Sequence, residues 1–237
     1  MTSEPKVAVI TGASRGIGES LLKAFRGRGY RVVASSRTIG KSDDPAIAAV
    51  AGDIGSRETA KRVFELAIER FGRIDTLINN AGVFIAKPFT EYSEADFAGI
   101  VEVNLAGFFH LTQLAAAKML ETGAGHIVNI TATIAQQPMA ALPAALATLT
   151  KGALNAVTRA LAIEYAGRHV RVNAVSPGAI VTPMHSLEAR DFLASLQPMG
   201  RMGEMQDVVD AVMYLEQAAF VTGEILHVDG GASAGRW

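Results

Sequence analysis

The chain of 237 residues contains no cysteine, which excludes disulfides, thiolate nucleophiles and thiolate zinc sites; no other metal site is expected. Charge of either sign is scarce: 22 Lys and Arg stand against 23 Asp and Glu, a net charge of −1. The basic residues form no cluster denser than a solvated helix face carries, so neither nucleic acid nor an anionic membrane is an expected partner. No unbroken apolar run approaches the length needed to span a bilayer. The N-terminal stretch MTSEPKVAVITG turns directly into an apolar strand pattern, without the basic and apolar regions of a signal peptide. A cytoplasmic location is the expectation.

Apolar residues and glycine are what the chain has in quantity, at 49% and 23 residues. That composition fits a globular chain with a substantial core and not a disordered one. Short β-branched runs alternate with longer helical patterns. KVAVITG, RVVASSR, AAVAGDI, IDTLINNAG, GHIVNIT, HVRVNAVSPG and EILHVDGG read as strands. GIGESLLKAFRGRG reads as a helix closing on Gly29, and SRETAKRVFELAIERFG as one with Ser56 at its N-cap. A long helix opens at SEAD with capping-box spacing, another carries Lys151, and MQDVVDAVMYLEQ is the last. Strands alternating with helices predict a parallel α/β sheet covered on both faces by right-handed crossovers. No repeat or linker divides the pattern, so one domain over residues 1–237 is expected.

TGASRGIG places Gly12, Gly16 and Gly18 between the first strand and the first helix. Glycines there allow a tight turn and let the backbone approach a pyrophosphate drawn to the helix N-terminus. A glycine turn alone is weak evidence, and its place at the head of a strand–loop–helix unit strengthens it. The spacing is GxxxGxG instead of the commoner GxGxxG. After the second strand, an NAD site presents an acid to the ribose 2′-hydroxyl and an NADP site presents Arg. Here ASSRTIG offers Arg37, with no acid before Asp43, and Arg15 adds a second guanidinium. NADP(H) is therefore expected in preference to NAD(H), against the plainer reading of two solvated arginines. Asp53, after the third strand, is placed either to meet the adenine edge or to cap a turn.

These motifs, together with NNAG (Asn79 to Gly82), Asn104 in EVNLAG, GHIVNI, RVNAVSPGAIVTPM and TGEILHVDGG, resemble the short-chain dehydrogenase/reductase family over essentially the whole chain. The resemblance implies a Rossmann-type, doubly wound parallel sheet of about seven strands with helices on both faces. It implies NAD(P)(H) binding, often in a homotetramer, and hydride transfer to or from the carbonyl or alcohol of a small molecule. Cofactor contacts would come from Gly12, Ser14, Arg15, Gly16, Ile17 and Gly18. Arg37, Asp53 and Ile54 would add theirs, followed by Asn80, Ala81 and Gly82. Lys151 and then Pro177, Gly178, Ile180 and Thr182 complete the implied set.

The family's catalytic group is an Asn, a Ser and a Tyr-x-x-x-Lys pair on one helix. Residues four apart share a helix face, so the ammonium lies beside the phenol, lowers its pKa and readies it as a general acid–base. Asn104 matches the asparagine, which the resemblance gives a water linked to the lysine. Lys151 matches the lysine, which binds the nicotinamide ribose. The tyrosine position is Ala147, and the serine position is Ala132. The loop between those alanines is about two residues longer than is common in the family, so Thr131 or Thr133 could take the serine's place; Thr133 is retained as the catalytic candidate. No shift supplies a tyrosine, because Tyr30, Tyr92, Tyr165 and Tyr214 lie elsewhere.

Three readings stay open. An NADP(H)-dependent reductase could draw its proton from Thr133, His185, Lys151 or a relayed water. A reductase of preformed iminium ions would need no acid. A silent NADP(H)-binding sensor or docking module would need no chemistry. His185, a lone loop histidine, reads as a surface residue before it reads as an acid, and His110 and His126 read as structural. In the lid segment from Thr182 to Pro198, Met184, Leu187, Phe192 and Leu193 are the expected contacts for a modest apolar substrate. The helices LAGFFHLTQLAAAKML and AALATLTKGALNAVTRALAIEYA are more apolar than one sheet face requires. They predict a two-fold helix–helix interface in a homodimer or homotetramer.

Overall fold

Val7 and Val9 of the first strand pack into one layer of helices, and Ala8 and Ile10 into the other, all fully buried. Burial on both faces is why the strand reads as an unbroken apolar run. A computed structural model describes residues 4–183 and 185–235; Met184 of the lid lies outside the described residues. The strands are β1 (Val7–Thr11), β2 (Arg31–Ser36), β3 (Ile47–Ala51), β4 (Thr76–Asn79), β5 (Gly125–Ile130), β6 (Val170–Pro177) and β7 (Ile225–Val228). They form one sheet, parallel throughout, in the order β3-β2-β1-β4-β5-β6-β7. After β3 the chain returns to the far side of β1. The loops leaving β1 and β4 therefore diverge and open a crevice at the carboxyl ends of the strands.

Helices α1 (Gly16–Gly27) and α7 (Met205–Gln217) cover one face through Leu21, Phe25, Val208, Val212 and Leu215. The other face holds α2 (Arg57–Phe71), α4 (Gly107–Thr122) and α5 (Ala145–Tyr165), inserting Val63, Leu111, Met119 and Ala162. Local chemistry sets the helix starts. The Ser56 hydroxyl accepts the Thr59 N–H, and Ser93 forms a reciprocal capping box with Asp96 ahead of α3 (Glu94–Val101). Residues 37–46, between β2 and β3, contain no helix. A short helix that the sequence pattern did not mark, α6 (Arg190–Ser195), lies in the lid segment.

α3 and α4 join through a π-helical turn, Glu102–Ala106, into one rod over residues 94–122. By length and mean hydropathy alone that rod is long and apolar enough to cross a membrane, although Glu94, Asp96, Glu102 and Lys118 interrupt its apolar run. The length arises because the π turn fuses two helices of 8 and 16 residues, each too short to span a bilayer alone. The rod is a core helix here, with Leu111, Ala115 and Met119 fully buried against the sheet. His126 is structural as expected: its Nδ1 lies 2.7 Å from Glu216 Oε2, while Tyr30 and Thr76 donate to the other carboxylate oxygen.

Candidate active site

The first loop is fastened to the loop after β4. Thr11, the last residue of β1, accepts the backbone N–H groups of Asn80 and Ala81 on its hydroxyl, each at 3.0 Å. Asn80 Nδ2 donates back to the Thr11 carbonyl at 2.9 Å and lies 3.3 Å from that of Gly12. This contact decides the glycines. Gly12 has φ +66°, and a Cβ on Gly18 would fall 2.2 Å from the Gly12 carbonyl oxygen. No side chain caps the start of α1, where Gly16, Ile17 and Gly18 line a cleft of about 720 Å³. Uncapped N–H groups at a helix N-terminus suit a phosphate.

Arg15, Ser14 and Arg37 line the same end of the cleft. Both guanidiniums are exposed, and neither has an ion-pair partner among the described residues. Asp53 lines the cleft while its Oδ1 accepts the Gly55 N–H at 3.0 Å, so it is a turn acid and a wall residue at once. Ile54, Asn80, Ala81, Gly82, Pro177, Gly178, Ile180 and Thr182 all line the cleft as well. Thr11 was missed in the sequence, although a threonine abutting the glycine loop is a readable signal.

Lys151 lies at the inner end. Only 8% exposed, it donates from Nζ to the Ile130 carbonyl at 2.7 Å, and burial pulls its pKa down to about 8. A Cβ on Gly82 would sit 3.2 Å from this ammonium and 3.3 Å from Asn104 Oδ1, so the three residues converge. Asn104, in the π turn, does not line the cleft. Its Oδ1 accepts the Val83 N–H at 2.8 Å, and its Nδ2 donates to the Val83 carbonyl and to Thr150 Oγ1. Asn104 thus braces the turn that faces Lys151.

The substrate end is apolar. Val83, Phe84, Ile134, Met139, Leu142, Phe192 and Leu193 form its walls, beside Ala132. Of the expected lid contacts, Phe192 and Leu193 are there, whereas Leu187 is exposed and is not part of the cleft wall. The Met139–Leu142 turn was not legible because its register depends on an isolated bridge inside a loop. Ala147 is fully buried among Ile100, Ile134, Ala144 and Leu146 and does not reach the cleft.

Neither threonine offers a ready hydroxyl. The single hydroxyl hydrogen of Thr133 lies between Asp229 Oδ2 at 3.0 Å and the Ser176 carbonyl at 3.3 Å, and that of Thr131 faces the Val175 carbonyl. Thr133 lines the cleft but holds Asp229, which sequence distance concealed. His185, read as a surface residue, instead lines the cleft half-buried, with Nδ1 2.9 Å from the Ile180 carbonyl.

A family model described as enoyl-(acyl carrier protein) reductase matches residues 12–233. An uncharacterized oxidoreductase of Methylorubrum extorquens is 38% identical, covering 96% of this chain and 98% of its own length. Among solved structures, ElxO with NADP bound superposes with a TM-score of 0.91 at 29% identity, over 98% of this chain and 100% of that one. A 3-ketoacyl-(acyl-carrier-protein) reductase from Brucella melitensis complexed with NADH superposes with a TM-score of 0.89 at 36% identity, over 97% and 99%. The family model spans nearly the whole chain and the relatives match it from end to end, and the chain belongs to the short-chain dehydrogenase/reductase family.

Proposed function

We propose that this protein is an NADP(H)-dependent oxidoreductase acting on a small, largely apolar carbonyl or imine-like substrate, with an altered proton donor. The observation that carries the reading is a single cleft with an uncapped helix N-terminus and two arginines without an ion-pair partner among the described residues at one end, and a buried ammonium at the other. NADP(H), when bound, supplies or accepts the hydride. Arg15 and Arg37 would hold the 2′-phosphate as charge-assisted pairs, and the start of α1 would hold the pyrophosphate. Lys151 would hold the ribose hydroxyls, with Asn104 fixing the Gly82–Val83 turn around it. The only carboxylate among the described cleft residues is Asp53, beyond β3, which favours a neutral carbonyl over a cationic iminium. A silent NADP(H)-binding sensor or scaffold is the second reading, favoured by the walled-off Ala147 and the engaged Thr133.

The cofactor assignment is tested by calorimetric titration with NADPH and NADH. NADPH should bind at least about tenfold tighter, and Arg37→Ala should remove most of that difference, about 1.4 kcal/mol. Equal affinities in the unmodified protein would sink the preference.

The same reading makes residues 1–237 one cytoplasmic domain and the protein a homodimer or homotetramer. Phe97 and Phe109 of the long rod and Leu149 and Ile163 of α5 support assembly, since all four are exposed on helices that otherwise face the core. Sedimentation at micromolar concentration should show dimer or tetramer; monomer alone contradicts the assembly.

A further inference from the structure

We infer that His185 is the proton donor of this site, standing in for the hydroxyl that Ala147 lacks; the inference rests on the carbonyl-reductase reading above. The ionisable side chains of the cleft are Arg15, Arg37, Asp53, Lys151 and His185. Arginine does not give up its proton in proteins. Asp53 lies past β3, at the end where the 2′-phosphate arginines stand. The Lys151 ammonium is engaged by the Ile130 carbonyl and is assigned to the ribose. Thr131 and Thr133 have committed their only hydrogens to carbonyl or carboxylate oxygens, which can only accept. Among the described ionisable side chains of the cleft, His185 alone combines a transferable proton with access to solvent and no assigned cofactor contact.

Its orientation is fixed. Nδ1 lies 2.9 Å from the Ile180 carbonyl, with the Thr182 hydroxyl at 3.5 Å. A carbonyl accepts and cannot donate, so Nδ1 carries a hydrogen in both charge states of the ring. The proton gained and lost is therefore the one on Nε2, for which the described residues provide no partner. An imidazole steered through Nδ1 while Nε2 exchanges the proton is the arrangement general acid–base catalysis by histidine requires. In the reductive direction, hydride from NADPH adds to the carbonyl carbon and the C=O π pair moves to oxygen. That oxygen takes the Nε2 proton, leaving alcohol, NADP+ and neutral imidazole. His185 is half-buried, so water restores its proton.

The test compares the unmodified protein with His185→Ala and His185→Gln, each saturated with NADPH, on a panel of aldehydes and cyclic ketones and on a p-quinone. The quinone is the control, because its reduced anion is a far weaker base than an alkoxide and needs no protonation at the moment of hydride transfer. Loss of a general acid should lower carbonyl kcat by about 10²-fold or more in both variants. NADPH affinity should stay within about twofold, and quinone reduction should be nearly unchanged. Added imidazole should restore carbonyl turnover to His185→Ala and not to His185→Gln, whose side chain fills the space. Carbonyl turnover that survives His185→Ala would overturn the assignment and leave the reductase reading standing. An equal loss on the quinone would overturn it too, since His185 would then be acting on lid or cofactor position. If NADPH binds tightly and no carbonyl is reduced even by the unmodified protein, the reductase reading fails and takes this assignment with it.

Discussion

Lys151→Met is expected to abolish turnover while making the cofactor-free protein more stable by about 2 kcal/mol near neutral pH. The ammonium is buried and its pKa falls to about 8, whereas in the unfolded chain it keeps the ordinary value of 10.5. Below pH 8 both states are protonated, and the folded state bears the full cost of the buried charge, about 3 kcal/mol. Leaving the Ile130 carbonyl without its donor takes back about 1 kcal/mol of the gain from removing the charge. Between pH 8 and 10.5 the unfolded chain binds more protons than the folded one, so the stability of the unmodified protein rises with pH through that window. The variant lacks this rise, and the gap should close as pH approaches 10.5. Urea denaturation of both proteins at pH 7 and pH 10, without cofactor, measures it. Parallel pH dependences would show that the lysine is not buried as a cation.

Restoring the phenol will not by itself restore the family's chemistry. Ala147→Tyr is expected to destabilise the protein by about 1–3 kcal/mol, because the alanine methyl is already enclosed by Ile100, Ile134, Ala144 and Leu146. For a chain of this size that corresponds to a fall in Tm of several degrees. Leu142 forms part of the cleft wall and packs against the same cluster, so Leu142→Ala should open the missing volume. The triple change Ala132→Ser, Leu142→Ala and Ala147→Tyr should then raise carbonyl reduction about tenfold or more over the unmodified protein, the phenol lying one turn from Lys151. Thermal denaturation and NADPH oxidation on a ketone read the two effects separately. An Ala147→Tyr protein as stable as its parent would mean that room for the ring exists and that the packing account is mistaken.

How much of this was legible in the sequence follows the distance over which each feature is determined. The end points of α7 and the Ser93 capping box agree with the sequence reading because neighbours three or four residues apart decide them. The inner strands were legible because burial on both faces leaves them predominantly apolar. The glycine loop was legible too, although the reason Gly18 must be glycine, its closeness to the Gly12 carbonyl and to Asn80, is visible only when β1 and β4 lie side by side. What local pattern could not supply were pairings across the chain. Thr133 looked available until Asp229, 96 positions later, was found against it. His185 looked peripheral because nothing in a sequence shows its ring turning back onto the Ile180 carbonyl. The closed space around Ala147 likewise depends on a loop whose fold has no periodic signature.

The fastening of Thr11 to Asn80 and Ala81 makes the cleft a gauge of length. The phosphate end hangs on the residue after Thr11, and the ammonium end adjoins Gly82, only two residues past Asn80. One threonine hydroxyl and one asparagine amide thus tie the loop at the phosphate end to the loop that leads to the ammonium end. A dinucleotide of the right span can meet both ends at once without ordering either, whereas a mononucleotide or a free phosphate can engage only one mark on the scale. A whole cofactor is therefore expected to bind better than its fragments, because this crossbar joins the two loops without any ligand.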